Sequence, residues 1–255
     1  MSVHAIPIVR NRLLSSLSPE DQRLIIPNMD KIQLGLKHIL EKAHEPIEVV
    51  YFLESGLGSV VAKRMGGSTV EVGLFGRDGM TGSSLAQGDT ESPFDCFTQM
   101  NGSAMCIAAG DLVDAMATSE TLKNLMVQYA RALSIQTSYT ALANGQNTIE
   151  GRLARWILMV HDRVDTDRFA VTHEFLSIML GVHRPGVTLA LQLLESRQCI
   201  RSQRGEVLVR DRSALIALTK GTYGPAEEEY ERLTGLSLGK SKPLPGDDKP
   251  SLQPA

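Results

Sequence analysis

Apolar residues recur along residues 172–195 at the three- and four-residue spacing of α-helices, which predicts two consecutive helices. Thr172 is a suitable N-cap for the first helix, and Gly181 falls where the turn between the helices needs a left-handed backbone. Ser177 is small where the two helices must cross closely. The second helix carries an apolar stripe formed by Val187, Ala190, Leu191 and Leu194.

The other side of the second helix is polar. Arg184, Thr188 and Gln192 share it, and Pro185 fits the first turn because its missing N–H would have no intrahelical partner there. This arrangement is typical of a helix-turn-helix, whose second helix enters the major groove of DNA. An ordinary antiparallel helix pair in a core would show the same stripe, so the pattern alone leaves that alternative open.

Two short alternating runs follow and meet at Arg204-Gly205, which predicts a β-hairpin, or wing, with an arginine at its tip. Residues 148–214 contain ten Arg and no Lys against eight Asp and Glu, whereas the whole chain has a net charge of −3. Basic side chains are thus concentrated in the part that would meet phosphates, although a solvated surface could also give this small excess.

These features predict a DNA-binding site. We expect Arg184, Thr188 and Gln192 to enter the major groove, with Arg184 favouring guanine. Thr172, His173, His183 and Arg204 are expected to hold phosphates. The full set of predicted DNA-binding residues is Thr172, His173, His183, Arg184, Gly186, Thr188, Gln192 and Arg204.

The sequence contains no pattern that indicates an enzyme. Gly56-Leu57-Gly58 lacks the third glycine of a dinucleotide-binding loop, no phosphate-binding P-loop occurs, and no pair of histidines has metal-ligand spacing. We therefore predict no catalytic residues, no metal ligands and no cofactor. The three cysteines form no C-x-x-C pair, which argues against a disulfide framework and a zinc site.

Residues 47–108 contain short runs rich in β-branched residues that are separated by glycines. This pattern predicts the strands and turns of a small barrel or sandwich. We expect turns at Gly56/Gly58 and at Gly66-Gly67, and a hairpin at Asn101-Gly102. The preceding residues 11–43 are predicted to be helical, with a break at Ser18-Pro19.

Residues 119–144 return to a helical pattern with a heptad-like seam. At about 1.5 Å per residue this helix would be roughly 40 Å long, so its expected partner is the same helix of a second chain. Packing along its own β domain is the alternative. Residues 144–147 are expected to break the helix and act as a hinge. The seam consists of Leu122, Met126, Tyr129, Leu133, Gln136, Thr140 and Ala143.

Composition agrees with a soluble protein of two domains, since 42% of the 255 residues are hydrophobic and 22% are charged. No apolar run is long enough to span a bilayer, and the N-terminus lacks a signal-peptide pattern, so we expect a cytoplasmic protein without a membrane partner. The Pro-, Lys- and Asp-rich C-terminus is expected to be disordered.

The order of these elements resembles the Crp/Fnr family of bacterial transcription regulators, most specifically in residues 49–56, in residues 72–82 and in the helix-turn-helix. The resemblance implies an α+β fold with a cyclic-nucleotide-binding-like β-roll (jelly roll), a long dimerisation helix and a winged helix-turn-helix. The corresponding division is a β-roll sensor domain (1–118), a dimerisation helix and hinge (119–147), a DNA-binding domain (148–235) and a disordered tail (236–255).

The predicted effector pocket departs from the family pattern. The site for the ribose of a cyclic nucleotide reads Gly79-Met80-Thr81-Gly82, without the family's Glu, and no Arg or Lys occurs between Arg77 and Lys123. A buried phosphate without a cation is costly, so we do not expect cyclic nucleotide binding. The N-terminal cysteines of iron–sulfur sensors are absent. Haem ligation by His38 or His44 remains an open alternative.

The recognition helix departs as well. Pro185 stands where the family commonly has Glu, and Leu189 stands where it has a second Arg, so the operator should differ from the family consensus. The sequence thus predicts a homodimeric regulator that binds an inverted repeat in double-stranded DNA, with an unidentified effector and RNA polymerase as a further candidate partner. The alternative is a ligand-binding signalling module whose C-terminal domain contacts protein.

Overall fold

The computed structural model describes residues 9–67 and 69–238. The chain begins with two short helices, α1 (Arg12–Ser16) and α2 (Pro19–Ile25), followed by a single 3₁₀ turn. The Ser18 side chain accepts a hydrogen bond from the Asp21 N–H, so the predicted cap and break at Ser18-Pro19 are confirmed.

The prediction of helix over the rest of residues 11–43 is wrong. Two strands, β1 (Asp30–Leu34) and β2 (Ile39–Glu41), occupy that region, and both pair antiparallel with a later strand. Their conformation depends on this long-range pairing, which local sequence periodicity does not report.

The β-roll is dominated by two long strands, β3 (Val49–Lys63) and β5 (Asp95–Ala108), with β4 (Thr69–Phe75) between them in the chain. The sheet order is β1-β5-β3-β4, and β2 pairs with β5. The predicted turn at Gly56/Gly58 and the predicted hairpin at Asn101-Gly102 are both wrong, because each lies inside a continuous strand.

Those glycines lie at or near β-bulges, where the two long strands approach each other closely. The register between β3 and β5 shifts at several positions around Leu57, and Gly56 has a φ of +85°. A Cβ atom on Gly102 would collide with the carbonyl oxygen of Ser55. Glycine is needed here for bending and close approach, which produces the same sequence signal as a turn. The turn at Gly66-Gly67, between β3 and β4, is confirmed by φ values of +99° and +104°.

The strand β5 leads into α3 (Ala109–Thr118) and the long helix α4 (Glu120–Gln146). The Ser119 side chain caps α4 by accepting from the Leu122 N–H. The predicted helix is confirmed, but it runs through residues 144–146, and only Asn147 ends it.

The heptad-like seam of α4 packs against its own chain. Leu122, Met126 and Tyr129 are buried, and the Tyr129 hydroxyl donates to the Met80 carbonyl at 3.1 Å. The Gln136 side chain pairs with both backbone groups of Leu74, at 2.8 and 3.0 Å. These members of the seam are therefore covered by their own chain, which is the alternative named for this helix, and dimerisation through α4 stays a prediction.

The opposite side of α4 is exposed. Seven residues spaced at three and four positions follow it, and most of them are small or polar. We call this surface the outer face of α4. Its members are Asn124, Val127, Arg131, Ser134, Ser138, Ala141 and Gly145.

The C-terminal domain contains five helices and a three-stranded sheet of order β6-β8-β7. Strand β6 was not predicted, because three residues give too short a pattern to recognise. The elements are α5 (Ile149–His161), β6 (Arg168–Ala170), α6 (His173–Leu180), α7 (Arg184–Ser196), β7 (Ile200–Gln203), β8 (Glu206–Val209), α8 (Arg212–Leu218) and α9 (Pro225–Thr234).

The two parts of the chain share hydrophobic cores. Leu57 and Leu74 of the β-roll lie in the same cluster as the C-terminal domain, and Tyr230 of α9 lies in the cluster of the β-roll and α4. Of the predicted tail, residues 236–238 are described and Leu238 is buried, while its other residues lie outside the described part. No helix within the described ranges is long and apolar enough to cross a membrane.

Candidate nucleic-acid interface

Helices α6 and α7 form the predicted two-helix motif. The Thr172 side chain caps α6 by accepting from the Phe175 N–H, and Gly181 ends the helix with a φ of +60°. A residue with a side chain would be strained in this left-handed conformation, so glycine allows the chain to turn directly into α7. Both local predictions are confirmed.

Helix α7 has the two faces that its sequence indicated. Its stripe of Val187, Ala190, Leu191 and Leu194 is buried against the rest of the C-terminal domain. Arg184 and Gln192 are exposed, and Thr188 is half-buried. Leu189 is also exposed, by 57%, and was not among the predicted site residues. Its position opposite the buried stripe could have been read from the helical period.

Two polar contacts join the first helix to the second. The Arg184 guanidinium donates from Nη2 to Glu174 Oε2 at 2.9 Å, and Thr188 Oγ1 lies 3.2 Å from His173 Nδ1. Both contacts are exposed, so they orient the side chains while leaving them accessible to a polyanion. His183 is the N-cap of α7, although its side chain forms no capping hydrogen bond there.

Gly186 is turned away from this surface. It is half-buried, a Cβ atom at this position would lie 3.4 Å from Ile149 Cδ1, and its N–H already donates to the His183 carbonyl at 2.9 Å. Such a Cβ atom would make ordinary van der Waals contacts, and a role of Gly186 in DNA binding stays a prediction.

The wing lies directly after α7. Arg204 and Gly205 join β7 to β8 with φ values of +53° and +80°, so the predicted hairpin and its arginine tip are confirmed. Glu195 near the end of α7 accepts from the Ser202 N–H at 2.7 Å. This bond fixes the wing relative to the recognition helix.

The arginines of the C-terminal domain do not all reach its surface. Arg155 and Arg163 are buried, and Arg163 forms an ion pair with Asp78 at 2.8 Å. Arg212 pairs with the buried Asp162. The basic excess of residues 148–214 therefore overstates the charge available to phosphates, because part of it joins elements inside the protein.

A buried carboxylate connects the two-helix motif to the β-roll. Glu71 of β4 accepts from Ser59 Oγ at 2.6 Å, from Trp156 Nε1 at 3.0 Å, and from the Gln99 side chain. Met179 of α6 packs on this network, with its sulfur 3.6 Å from Ser59 Oγ. Burial raises the pKa of Glu71 to about 7, and the three donors oppose that rise.

A cavity of about 230 Å³ lies between the β-roll and α4, at the residues where an effector pocket was predicted. Its walls combine apolar side chains such as Met80 with the hydroxyls of Thr81, Ser134 and Thr137. No Arg or Lys is among the described residues that line it, and the charged group present is the carboxylate of Glu41. Burial raises the pKa of Glu41, and the Gly82 N–H opposes that rise.

The described chain thus combines a β-roll, a long helix and a winged helix-turn-helix. The family model described as "Crp-like helix-turn-helix domain" matches residues 151–218. Residues 151–218 are therefore similar to Crp-like helix-turn-helix domains, and the chain as a whole has the fold of the solved Crp/Fnr regulators.

Solved structures agree over most of the chain. FixK2 from Bradyrhizobium japonicum is 15% identical, with a TM-score of 0.66 over 74% of this chain and 96% of that one. A Crp/Fnr-family regulator from Eubacterium rectale is 17% identical, with a TM-score of 0.64 over 82% and 98%. The c-di-GMP responsive regulator CLP from Xanthomonas campestris is 15% identical, with a TM-score of 0.57 over 75% and 99%. No curated protein matched the sequence.

Proposed function

We propose that the protein is a homodimeric transcription regulator that binds an inverted repeat in double-stranded DNA. The observation that carries this proposal is the exposed polar face of α7, on which Arg184 and Gln192 are accessible while the opposite stripe is buried. The Crp-like family of this domain supports DNA as its partner over a second protein.

Base contacts are assigned to the outward side of α7. Arg184 can donate two hydrogen bonds to guanine, Gln192 can pair with adenine, and the Thr188 hydroxyl can donate or accept. Leu189 is added to the site because an exposed apolar side chain in a major groove suits the methyl group of thymine. The family's recognition helix commonly carries two arginines and a glutamate, and these residues differ from that set. We therefore expect the operator to differ from the family consensus.

Phosphate contacts are assigned to the flanks of α7. Thr172 and His173 lie at the start of α6, His183 lies at the start of α7, and Arg204 lies at the tip of the wing. These positions surround the recognition helix, as backbone contacts do when they fix its register on the duplex.

Dimerisation is assigned to the outer face of α4 in place of the buried seam. Small residues on a helix allow a second helix to approach closely, and Val127 provides an apolar contact. Two recognition helices related by a twofold axis would address half-sites roughly 34 Å apart. We divide the chain into a sensor domain (1–118), a dimerisation helix (119–147), a DNA-binding domain (148–235) and a tail (236–255).

The effector is assigned to the cavity between the β-roll and α4. Its lining offers hydroxyls and a carboxylate but no cation, which disfavours a cyclic phosphate. CLP, which has the same fold, is described as c-di-GMP responsive, so a regulator of this fold can respond to a small molecule. An effector bound here would contact α4 and could change DNA affinity through it, with RNA polymerase as the further partner.

The test compares two arginine variants on a duplex that carries the protein's selected site. Arg184→Ala should weaken binding by about 1 to 3 kcal/mol and relax the preference at one base pair of each half-site. Arg23→Ala is the matched control, because Arg23 is 64% exposed against 65% for Arg184 and also pairs with a glutamate.

The measurement is a titration by fluorescence anisotropy against the selected duplex and its single-base variants. Loss of discrimination in Arg184→Ala, with Arg23→Ala unchanged, is the expected result. An unchanged preference in Arg184→Ala would remove Arg184 from the base-reading set.

A further inference from the structure

A cleft that is larger than the cavity assigned to the effector lies between the β-roll and the two-helix motif. Its volume is about 590 Å³, within the range of about 300 to 1,000 Å³ that is typical of small-molecule sites. We call it the interdomain cleft. Residues from both parts of the chain line it, among them Lys37, Met100, Trp156, Arg168, Phe169 and Ile178.

The walls of the interdomain cleft are mainly apolar. Met100 comes from β5 of the β-roll, whereas Phe169 and Ile178 come from the C-terminal domain. Met100 and Ile178 are only half-buried, so apolar surface remains open to an occupant. Covering such surface removes it from water and so stabilises a bound apolar molecule.

The cleft has an excess of positive charge. Lys37 enters from the turn between β1 and β2, and Arg168 enters from β6. Within the described ranges Lys37 forms no ion pair, while the one acidic lining residue, Glu174, is paired with Arg184 at 2.9 Å. Ion pairs as exposed as the one between Arg168 and Glu206 contribute little to stability. Arg168 could therefore leave Glu206 and pair with a bound anion.

The cleft wall also contains an unsatisfied polar atom. Gln99 is buried, and its Nε2 faces Glu71 because only the amide nitrogen can donate to a carboxylate. Its Oε1 has no hydrogen-bond partner. A buried acceptor without a partner is unfavourable, and a small rotation of the amide would let a bound molecule or water satisfy it.

We propose that the interdomain cleft binds an apolar monocarboxylate, whose hydrocarbon part covers the Met100, Phe169 and Ile178 surface and whose carboxylate faces Lys37 and Arg168. An apolar body and a single negative charge match the two properties of the lining. Binding itself does not depend on the DNA-binding function proposed above.

A consequence for regulation does rest on that function. The cleft is also lined by Thr172 at the start of α6 and by Gly205 of the wing, which flank the proposed DNA surface. A molecule that contacts the β-roll and these residues together would stabilise one relative position of the two parts. DNA affinity would then depend on occupancy.

The only tryptophan of the chain provides a local reporter. Trp156 lines the interdomain cleft and is not a lining residue of the effector cavity. The experiment titrates the full-length protein with decanoate and follows tryptophan fluorescence, with 1-decanol as the uncharged probe and calorimetry as a second measure. Saturable binding with a clear preference for decanoate over 1-decanol is expected.

Charge reversal tests the assignment of the carboxylate. Lys37→Glu should weaken decanoate binding about fivefold or more and leave 1-decanol binding unchanged, whereas Lys37→Arg should retain decanoate binding. Lys31→Glu is the matched control, because it makes the same change at another exposed lysine of the β-roll.

The proposal is overturned if decanoate gives no saturable response, or if Lys37→Glu and Lys31→Glu bind it equally well. Neither result would bear on DNA binding, which is measured separately.

Discussion

Arg184 and Glu174 form an exposed ion pair at the front of the helix-turn-helix, and they have opposite relations to DNA. Arg184 can donate to a guanine, whereas a carboxylate next to the phosphates is repelled by them. In the free protein Glu174 holds the guanidinium in place. The proposed contact of Arg184 with a base would replace at least part of this ion pair.

Glu174→Gln should therefore strengthen DNA binding. The amide removes a negative charge next to the duplex and releases Arg184, and we expect an increase in affinity of about threefold at low salt that declines as salt is added. Titration against the selected duplex at two salt concentrations measures it. Glu20→Gln changes a matched pair, Glu20 with Arg23, and should have no effect. Equal affinity of Glu174→Gln and the wild type would contradict this account of the ion pair.

The residues of the recognition helix could largely be predicted from the sequence, because a helix has a fixed period and its buried stripe defines its exposed side. Leu189 was not among the predicted site residues, although the helical period places it opposite the buried stripe. Gly186 was included because of its position in the motif, and a Cβ atom at this position would lie near Ile149 of α5.

At the scale of elements, α4 has two surfaces with different partners. The seam that contains Leu122 and Met126 is buried by the β-roll, and the outer face remains exposed along the helix. A heptad-like pattern indicates that one side of a helix is buried, but it does not distinguish packing against the same chain from packing against a second protomer.

Val127→Glu should shift the protein from dimer to monomer, because it would place two carboxylates against each other across a twofold axis. Sedimentation velocity over a range of protein concentrations measures the change. Val113→Glu on α3 is the control, since Val113 is 40% exposed and Val127 is 39% exposed. If both variants remain dimeric, the interface lies away from the outer face of α4.

The elements that could be predicted are those whose signals are local. The cap at Thr172, the turn at Gly181 and the wing turn at Arg204-Gly205 all follow from a few neighbouring residues. The strands β1 and β2 could not be predicted because they exist through pairing with β5. Glycines at the bulges of β3 and β5 resemble turns, since both structures require the same backbone freedom.

At the scale of the whole molecule, the C-terminal domain is tied to the β-roll by buried polar contacts. Glu71 receives the indole N–H of Trp156, and Asp78 pairs with Arg163. The predicted hinge is also held, because the Asn147 side chain donates to Thr219 and Thr222 at 3.1 and 2.8 Å. A change in the relative position of the two parts must break or rearrange some of these contacts.

Glu71 makes this connection sensitive to pH. Burial raises its pKa to about 7 from an ordinary value of 4.5, so the folded protein holds a proton that the unfolded chain releases. The contribution of protonated Glu71 to the free energy of unfolding is fully present below about pH 4.5 and is lost as pH rises through 7. The free energy of unfolding falls by about 3 kcal/mol over this range.

Glu71→Gln should remove this dependence. Urea unfolding at about pH 5 and at about pH 8 should show a smaller loss of stability in the variant than in the wild type. Burial also raises the pKa of Asp162 to about 6, which makes stability fall with rising pH in both proteins. The difference between their losses of stability therefore reports on Glu71. Equal losses in the two proteins would show that Glu71 is already ionised when folded at low pH.

The central claim is that two copies of α7 bind an inverted repeat in DNA. Selection of binding sites from random duplexes by the full-length protein, at two salt concentrations, tests it most directly. The account predicts an inverted repeat whose half-sites are about ten base pairs apart and whose selection persists at the higher salt. Binding that is sequence-independent and disappears at the higher salt would contradict it.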